Sequence, residues 1–182
     1  MKSGDQREAS MYSGERLLKD NAVFEVLGTL DELCSWLGMM KASLRHGLDA
    51  GYHDTIDTIG QIEKIQACLR RAGGEIATSK DPKQFKNLSP IEGKDLDELD
   101  SFEREVKEEV DVPRGFITPG KTLMSARIDL TRTVSRRLER RYVALLEHDD
   151  SETNRGRVDN TYILAYMNRL SDYLFLLARY YE

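Results

Sequence analysis

No stretch of this chain approaches the roughly 18 consecutive apolar residues of a membrane-spanning helix. The N-terminal MKSGDQREAS lacks the apolar core of a signal peptide. Both absences argue against membrane insertion or secretion, and the expected location is the cytoplasm. Cysteine is scarce. Cys34 and Cys68 are the only two in 182 residues, they form no CxxC, and each sits among apolar, helix-like neighbours. Buried, reduced thiols are therefore expected rather than a disulfide or a metal centre. The histidines, His46, His53 and His148, fall in connecting segments without ligand spacing, so no side-chain metal cluster is expected. A general excess of positive charge is also missing. The net charge of −5 argues against a nucleic-acid-binding surface, whereas the local concentration between Arg127 and Arg141 favours a small anionic ligand. Strand signals are few, and internal repeats and linkers that would split the chain are lacking.

What is present is helical periodicity along a length suited to one domain with a real core. Val23, Leu27, Leu30, Cys34, Leu37 and Leu44 predict a first helix from about Asn21 to Leu44. Ile56, Ile59, Ile62, Ile65 and Leu69 predict a second, ending near Thr78. A breaker-rich loop follows. Ser89-Pro90 then reads as the start of a strongly acidic third helix that stops before Pro113. Thr118-Pro119 reads as the start of a fourth, running to about Leu146, and Asn160 to Tyr181 forms the fifth. Short connections between long helices predict an all-α, up-and-down five-helix bundle spanning 1–182 as one domain, with a polar N-terminal segment over 1–20.

On the fourth helix, Leu123, Leu130, Val134, Leu138 and Leu145 cluster on one face, at about 100° per residue. Arg132, Arg136 and Glu139 lie within about 60° of one another on the other side. Five arginines between 132 and 141, with Glu139 their one local carboxylate partner, suit a polyanion better than water. Just upstream, Gly115-Phe-Ile-Thr-Pro-Gly120-Lys121-Thr122 matches the phosphate-binding GxxxxGK[ST] pattern letter for letter. A true P-loop needs a buried strand before it. Here FEREVKEEVDVPR is a charged helix tail, so a proline-capped helix start with Gly120 in the turn is expected instead.

Four segments together carry a resemblance: GTLDELCSWLG from Gly28, FITPGKT from Phe116, TRTVSRRLERRYV from Thr131 and NRLSDYLFLLARY from Asn168. In order and spacing they resemble the PduO-type ATP:cob(I)alamin adenosyltransferase family across essentially the whole chain. The resemblance implies a five-helix bundle of the ferritin-like, cobalamin adenosyltransferase-like kind, assembled as a homotrimer with sites between subunits. It implies transfer of the 5′-deoxyadenosyl group of ATP to the cobalt of reduced cobalamin, with triphosphate as the other product and Mg²⁺ bridging phosphate oxygens. An electron-donating reductase and an adenosylcobalamin-dependent enzyme are the implied partners, with no nucleic acid and no membrane.

Carried over residue by residue, the resemblance assigns Arg136, Arg137, Glu139, Arg140 and Asn168 to the nucleotide. Lys2, Ser3, Gly4, Asp5, Ser10 and Lys19 of the N-terminal segment wrap its phosphates. Asp31 pairs with an arginine of the fourth helix across the subunit boundary, with Arg132 the candidate. Phe116 lies below the corrin ring, and Asp172 orients groups on the same side. Trp36, off the first helix's apolar stripe, is a candidate interface anchor. The N-terminal segment departs from the family pattern: a glycine and a threonine are replaced by Arg7 and Glu8-Ala9. A glycine lost beside a phosphate restricts backbone approach, and Glu8 adds a like charge. Arg127 stands where the family has an apolar residue, and no C-terminal lid is expected. Two rival readings follow: a non-catalytic relative serving as carrier, sensor or chaperone, and a helical scaffold whose arginine helix binds protein or RNA.

Overall fold

The structure, a computed structural model, describes residues 6–11, 14–49, 56–78, 86–112, 114–147 and 160–182. Lys2, Ser3, Gly4, Asp5, His53 and His148 lie outside the described residues. Five helices occur among them: α1 (Ala22–Asp49), α2 (Thr58–Ile76), α3 (Gly93–Glu108), α4 (Leu123–Glu147) and α5 (Thr161–Tyr180). Their number and order are those read from the periodicity.

Cross-helix bonds fix their directions. Lys41 donates to Gln66 and Arg45 to Glu63, so α1 and α2 are antiparallel. Gln61 with Glu105 and Arg71 with Asp95 make α2 and α3 antiparallel. Arg127 with Ser43 and Arg137 with Glu32 do the same for α1 and α4. Asn168 with Glu139 and Arg179 with Asp129 do so for α4 and α5. Among packed neighbours only α3 and α5 run parallel, joined by Arg169 to Asp100 and by the Phe102 and Tyr173 rings, whose centroids are 6.3 Å apart. The helices therefore close a ring in the order α1, α2, α3, α5, α4.

Burial shows why these residues form this ring. Leu33, Leu37, Met40, Ile62, Ile65, Leu69, Leu99, Ile128, Leu138 and Leu174 are all but inaccessible, and each is worth about 1.5–3 kcal/mol in apolar transfer. Asn160 caps α5 by accepting from the Tyr162 N–H at 3.0 Å. Its amide also donates to the buried Glu75 at 2.9 Å and to the Ile91 carbonyl at 3.0 Å, which ties the start of α5 to α2. Burial pushes the Cys68 thiol up to about 12, and it also raises that of the half-buried Cys34. Both are free, buried or half-buried thiols, as expected.

Several boundaries differ from expectation for identifiable reasons. Ser89-Pro90 does not start α3, because Arg71 takes the carbonyls of both residues and holds them out of the helix. The helix begins at Gly93 instead, with the Glu92 N–H donating to Asp95 at 2.8 Å. Thr118-Pro119 does not start α4 either. Gly120 has φ +102°, in the left-handed region that breaks a helix. The start is delayed to a reciprocal cap in which Thr122 and Ser125 exchange side-chain-to-backbone hydrogen bonds at 3.0 Å.

The buried face of α4 is also rotated from the expected stripe. Val134, Leu138 and Leu145 are buried, but Leu123 and Leu130 are exposed. Ile128, Tyr142 and the small Ser125, Thr131 and Ser135 take their place, because α4 packs against two neighbours and needs a wide face with room for close approach. Finally, the polar N-terminus contains an antiparallel hairpin, β1 (Glu8–Ser10) with β2 (Arg16–Leu18), that periodicity did not reveal. Trp36 is half-buried against the core.

Candidate active site

The arginines of α4 are sorted by which neighbour they face. Arg137 donates to Glu32 of α1, and Arg141 pairs with Glu25 at 3.0 Å and bonds Thr29. Among the expected nucleotide residues, Arg137 is thus already engaged by an acid. Glu139 is not the one local carboxylate partner of these arginines, because Asp129, three residues before Arg132, accepts from it at 2.8 Å, and α1 supplies two more acids from outside the helix. Arg136 and Arg140 are exposed on the outward face, and no carboxylate engages either among the described residues. Arg140 donates instead to the Arg136 carbonyl at 3.1 Å. Beside them, the Asn168 amide donates to Glu139 at 3.1 Å, which joins α5 to α4. Asp172 is exposed one turn further along the same face of α5. The structure therefore brings Arg136, Arg140, Glu139 and Asn168 together.

Arg132 is held differently. Its Nε donates to Asp129 at 2.8 Å, and Asp129 also accepts from Arg179 at 2.7 Å. Asp31 is exposed on α1 and does not meet Arg132 within one chain. A cleft of about 320 Å³ lies next to Arg132, walled by Pro119, Gly120, Ala126, Asp129, Leu130 and Thr133. One wall is the loop that carries Phe116, through Pro119 and Gly120, and Phe116 itself is fully exposed. A buried core role for that ring, the ordinary fate of a phenylalanine, is excluded within the chain. The phosphate-loop reading of Gly115–Thr122 fails as expected. The segment between α3 and α4 contains no strand among its described residues.

The hairpin accounts for part of the altered N-terminus. Glu8, the carboxylate that would repel a phosphate, is paired with Arg16 across the hairpin at 3.0 Å. Lys19 extends the ladder through its N–H to the Arg7 carbonyl at 2.8 Å, and Ser10 lies exposed at the end of β1 opposite Arg16. The segment is thus organised by backbone pairing where glycine is missing.

A family model described as cobalamin adenosyltransferase matches residues 1–181. The chain belongs to the cobalamin adenosyltransferase family. It is 33% identical over 183 residues to the corrinoid adenosyltransferase MMAB of Mus musculus, covering 98% of this chain and 70% of that protein. It is 31% identical to a corrinoid adenosyltransferase of Citrobacter freundii, covering 100% and 93% of the two chains. Among solved structures it is similar to a variant PduO-type ATP:corrinoid adenosyltransferase from Lactobacillus reuteri complexed with cobalamin and ATP. The TM-score there is 0.80 at 26% identity, over 100% of this chain and 91% of that one. A further variant of the Lactobacillus reuteri enzyme, complexed with ATP, superposes with a TM-score of 0.77. The five-helix bundle is the architecture of this family.

Asp129, Arg179, Glu25 and Glu32, which hold the arginines of α4, were not singled out from the sequence. Asp129 and Arg179 are 50 residues apart in sequence, and nothing in helical periodicity pairs them. The i,i+3 spacing of Asp129 and Arg132 was visible. Glu25 and Glu32 were also visible as one helix face, but their match to Arg141 and Arg137 depends on the α1–α4 register.

Proposed function

We propose that this protein transfers the 5′-deoxyadenosyl group of ATP to the cobalt of a reduced cobalamin and releases triphosphate. It is a corrinoid adenosyltransferase. The reduced cobalt supplies the electron pair that forms the bond to the ribose 5′ carbon, and the C5′–O bond breaks with its pair going to triphosphate. The protein's task is therefore alignment and neutralisation of charge on the leaving group, without a protein nucleophile.

The observation that carries this reading is the outward face of α4. Two exposed arginines, Arg136 and Arg140, lack a carboxylate partner among the described residues and flank the Glu139–Asn168 contact. They are the described cations best placed to meet a triphosphate. Arg132 joins them at the edge of the neighbouring cleft, and Arg137 acts mainly as a brace to α1. Lys2, Ser3, Gly4, Asp5, Ser10 and Lys19 would wrap the phosphates from the N-terminal segment. Mg²⁺ would be held on phosphate oxygens, with Glu139 the carboxylate inside the arginine stripe. Phe116 would lie against the corrin ring, with Asp172 orienting its surroundings. The exposure of Phe116, Leu123 and Leu130 on one chain supports a trimer in which Asp31 of one copy reaches Arg132 of another. A reductase and an adenosylcobalamin-dependent enzyme in the cytoplasm complete the proposal.

The test is anaerobic. Protein, MgATP and chemically reduced cob(I)alamin are mixed, and loss of the cob(I)alamin absorption is followed. Saturable conversion to adenosylcobalamin that collapses in Arg136→Ala is expected. Binding of ATP without turnover would sink the catalytic reading.

A further inference from the structure

Asp129 is the most enclosed carboxylate in contact with the α4 arginine stripe. Its side chain is 5% exposed, and each of its oxygens receives a separate guanidinium. Oδ2 accepts from Arg179 at 2.7 Å and Oδ1 from Arg132 at 2.8 Å. The two arginines differ in burial. The Arg179 side chain is 3% exposed, lies over the Phe175 ring at 5.3 Å and approaches Glu182 at 2.8 Å. It cannot be released into water without unfolding the end of α5. Arg132 is 23% exposed and borders the cleft walled by Pro119 and Gly120.

Only the Nε of Arg132 is bonded among the described residues, which leaves one terminal nitrogen for the Asp31 of a neighbouring copy in the proposed trimer and the other for whatever enters the cleft. A guanidinium held at Nε has its plane fixed and its fork displayed. The carboxylate is anchored from behind by a cation that cannot move. That arrangement restrains Arg132 against the rotamer freedom a long side chain otherwise keeps.

We infer that Asp129, anchored by Arg179, is a positioning residue that presents the Arg132 guanidinium to the reacting nucleotide or corrinoid. The inference rests on the adenosyltransferase reading and on the placement of Arg132 in its site. It adds a link from the last turn of α5 to the cleft. Asparagine at 129 would keep the shape but offer one acceptor oxygen instead of two. That oxygen would stay with Arg179, the more deeply buried of the two guanidiniums, and Arg132 would be released.

The experiment measures steady-state adenosylation by the full chain, with melting temperatures taken alongside. Asp129→Asn is expected to lower kcat about 30-fold, with the KM for ATP within about threefold, as for an interaction made chiefly in the transition state. Asp129→Leu combined with Arg179→Met removes both buried charges and is expected to recover melting temperature without recovering kcat. A purely structural role predicts the reverse: activity returns together with stability. That result, or wild-type kcat in Asp129→Asn, would overturn the inference. Arg132→Ala is run in parallel. Full activity there would overturn the placement of Arg132 itself, whereas an impaired Arg132→Ala beside an unimpaired Asp129→Asn would remove the positioning link alone.

Discussion

Two sides of one helix use the same residue type for opposite ends. Toward α1, Arg137 and Arg141 each meet a glutamate and brace two helices. On the outward face, Arg136 and Arg140, one residue away in each case, meet no carboxylate among the described residues. Composition cannot separate these arginines, and neither can their local sequence. The facing helix separates them by supplying an acid to one pair and none to the other. Arg71, gripped by Asp95 at 2.7 and 2.9 Å, belongs with the closed set. An arginine closed by a carboxylate holds the fold, while an open one is available to a ligand.

Removing an open arginine should produce the largest effect. Arg136→Ala is expected to lower kcat/KM for ATP by roughly 10²–10³-fold, with a melting temperature close to that of the parent protein. Steady-state rates with a thermal melt check both halves. A large fall in stability would place Arg136 with the braces and break the comparison.

A closed pair should behave in the opposite way. Burial alone would raise the Asp95 carboxyl, but its bonds from Arg71 and the Glu92 N–H outweigh that and hold it below its ordinary 3.8. Because the folded value is depressed, the stabilisation is complete above 3.8 and is lost as pH falls through the folded value. Asp95→Asn is therefore expected to cost about 2 kcal/mol in urea unfolding at neutral pH. The difference from the parent should shrink below pH 3.8, with adenosylation little changed.

Phe116 extends the contrast to an apolar side chain. It is fully exposed within the chain, so Phe116→Ala should leave the melting temperature nearly unchanged. Corrinoid turnover should fall about tenfold, the scale of one aromatic contact. A matching loss of stability would assign the ring to packing.

The smallest effect is expected at a half-exposed brace. Arg137→Ala, which loses Glu32, should cost less than about 1 kcal/mol in stability and change turnover only about twofold. A loss comparable to that of Arg136→Ala would show that pairing with α1 does not withdraw an arginine from the site.

How far the sequence reached follows from the range of each interaction. Five helices and their order were legible, because periodicity of Ile, Leu and Val is a local property that burial enforces, whereas the parallel contact of α3 with α5 was not. The arginine stripe and the Asn168 face were legible as residue types at fixed spacing. Helix starts were not, because Arg71 and Gly120 override the proline signals at Ser89 and Thr118 through contacts and backbone angles. The rotation of the buried face on α4 also escaped the sequence, since it depends on two packing partners rather than one. Which arginine is open, which is a brace and which is anchored by Asp129 and Arg179 was decided only in three dimensions. A charge finds its partner across helices by register, and register is a property of the assembled core.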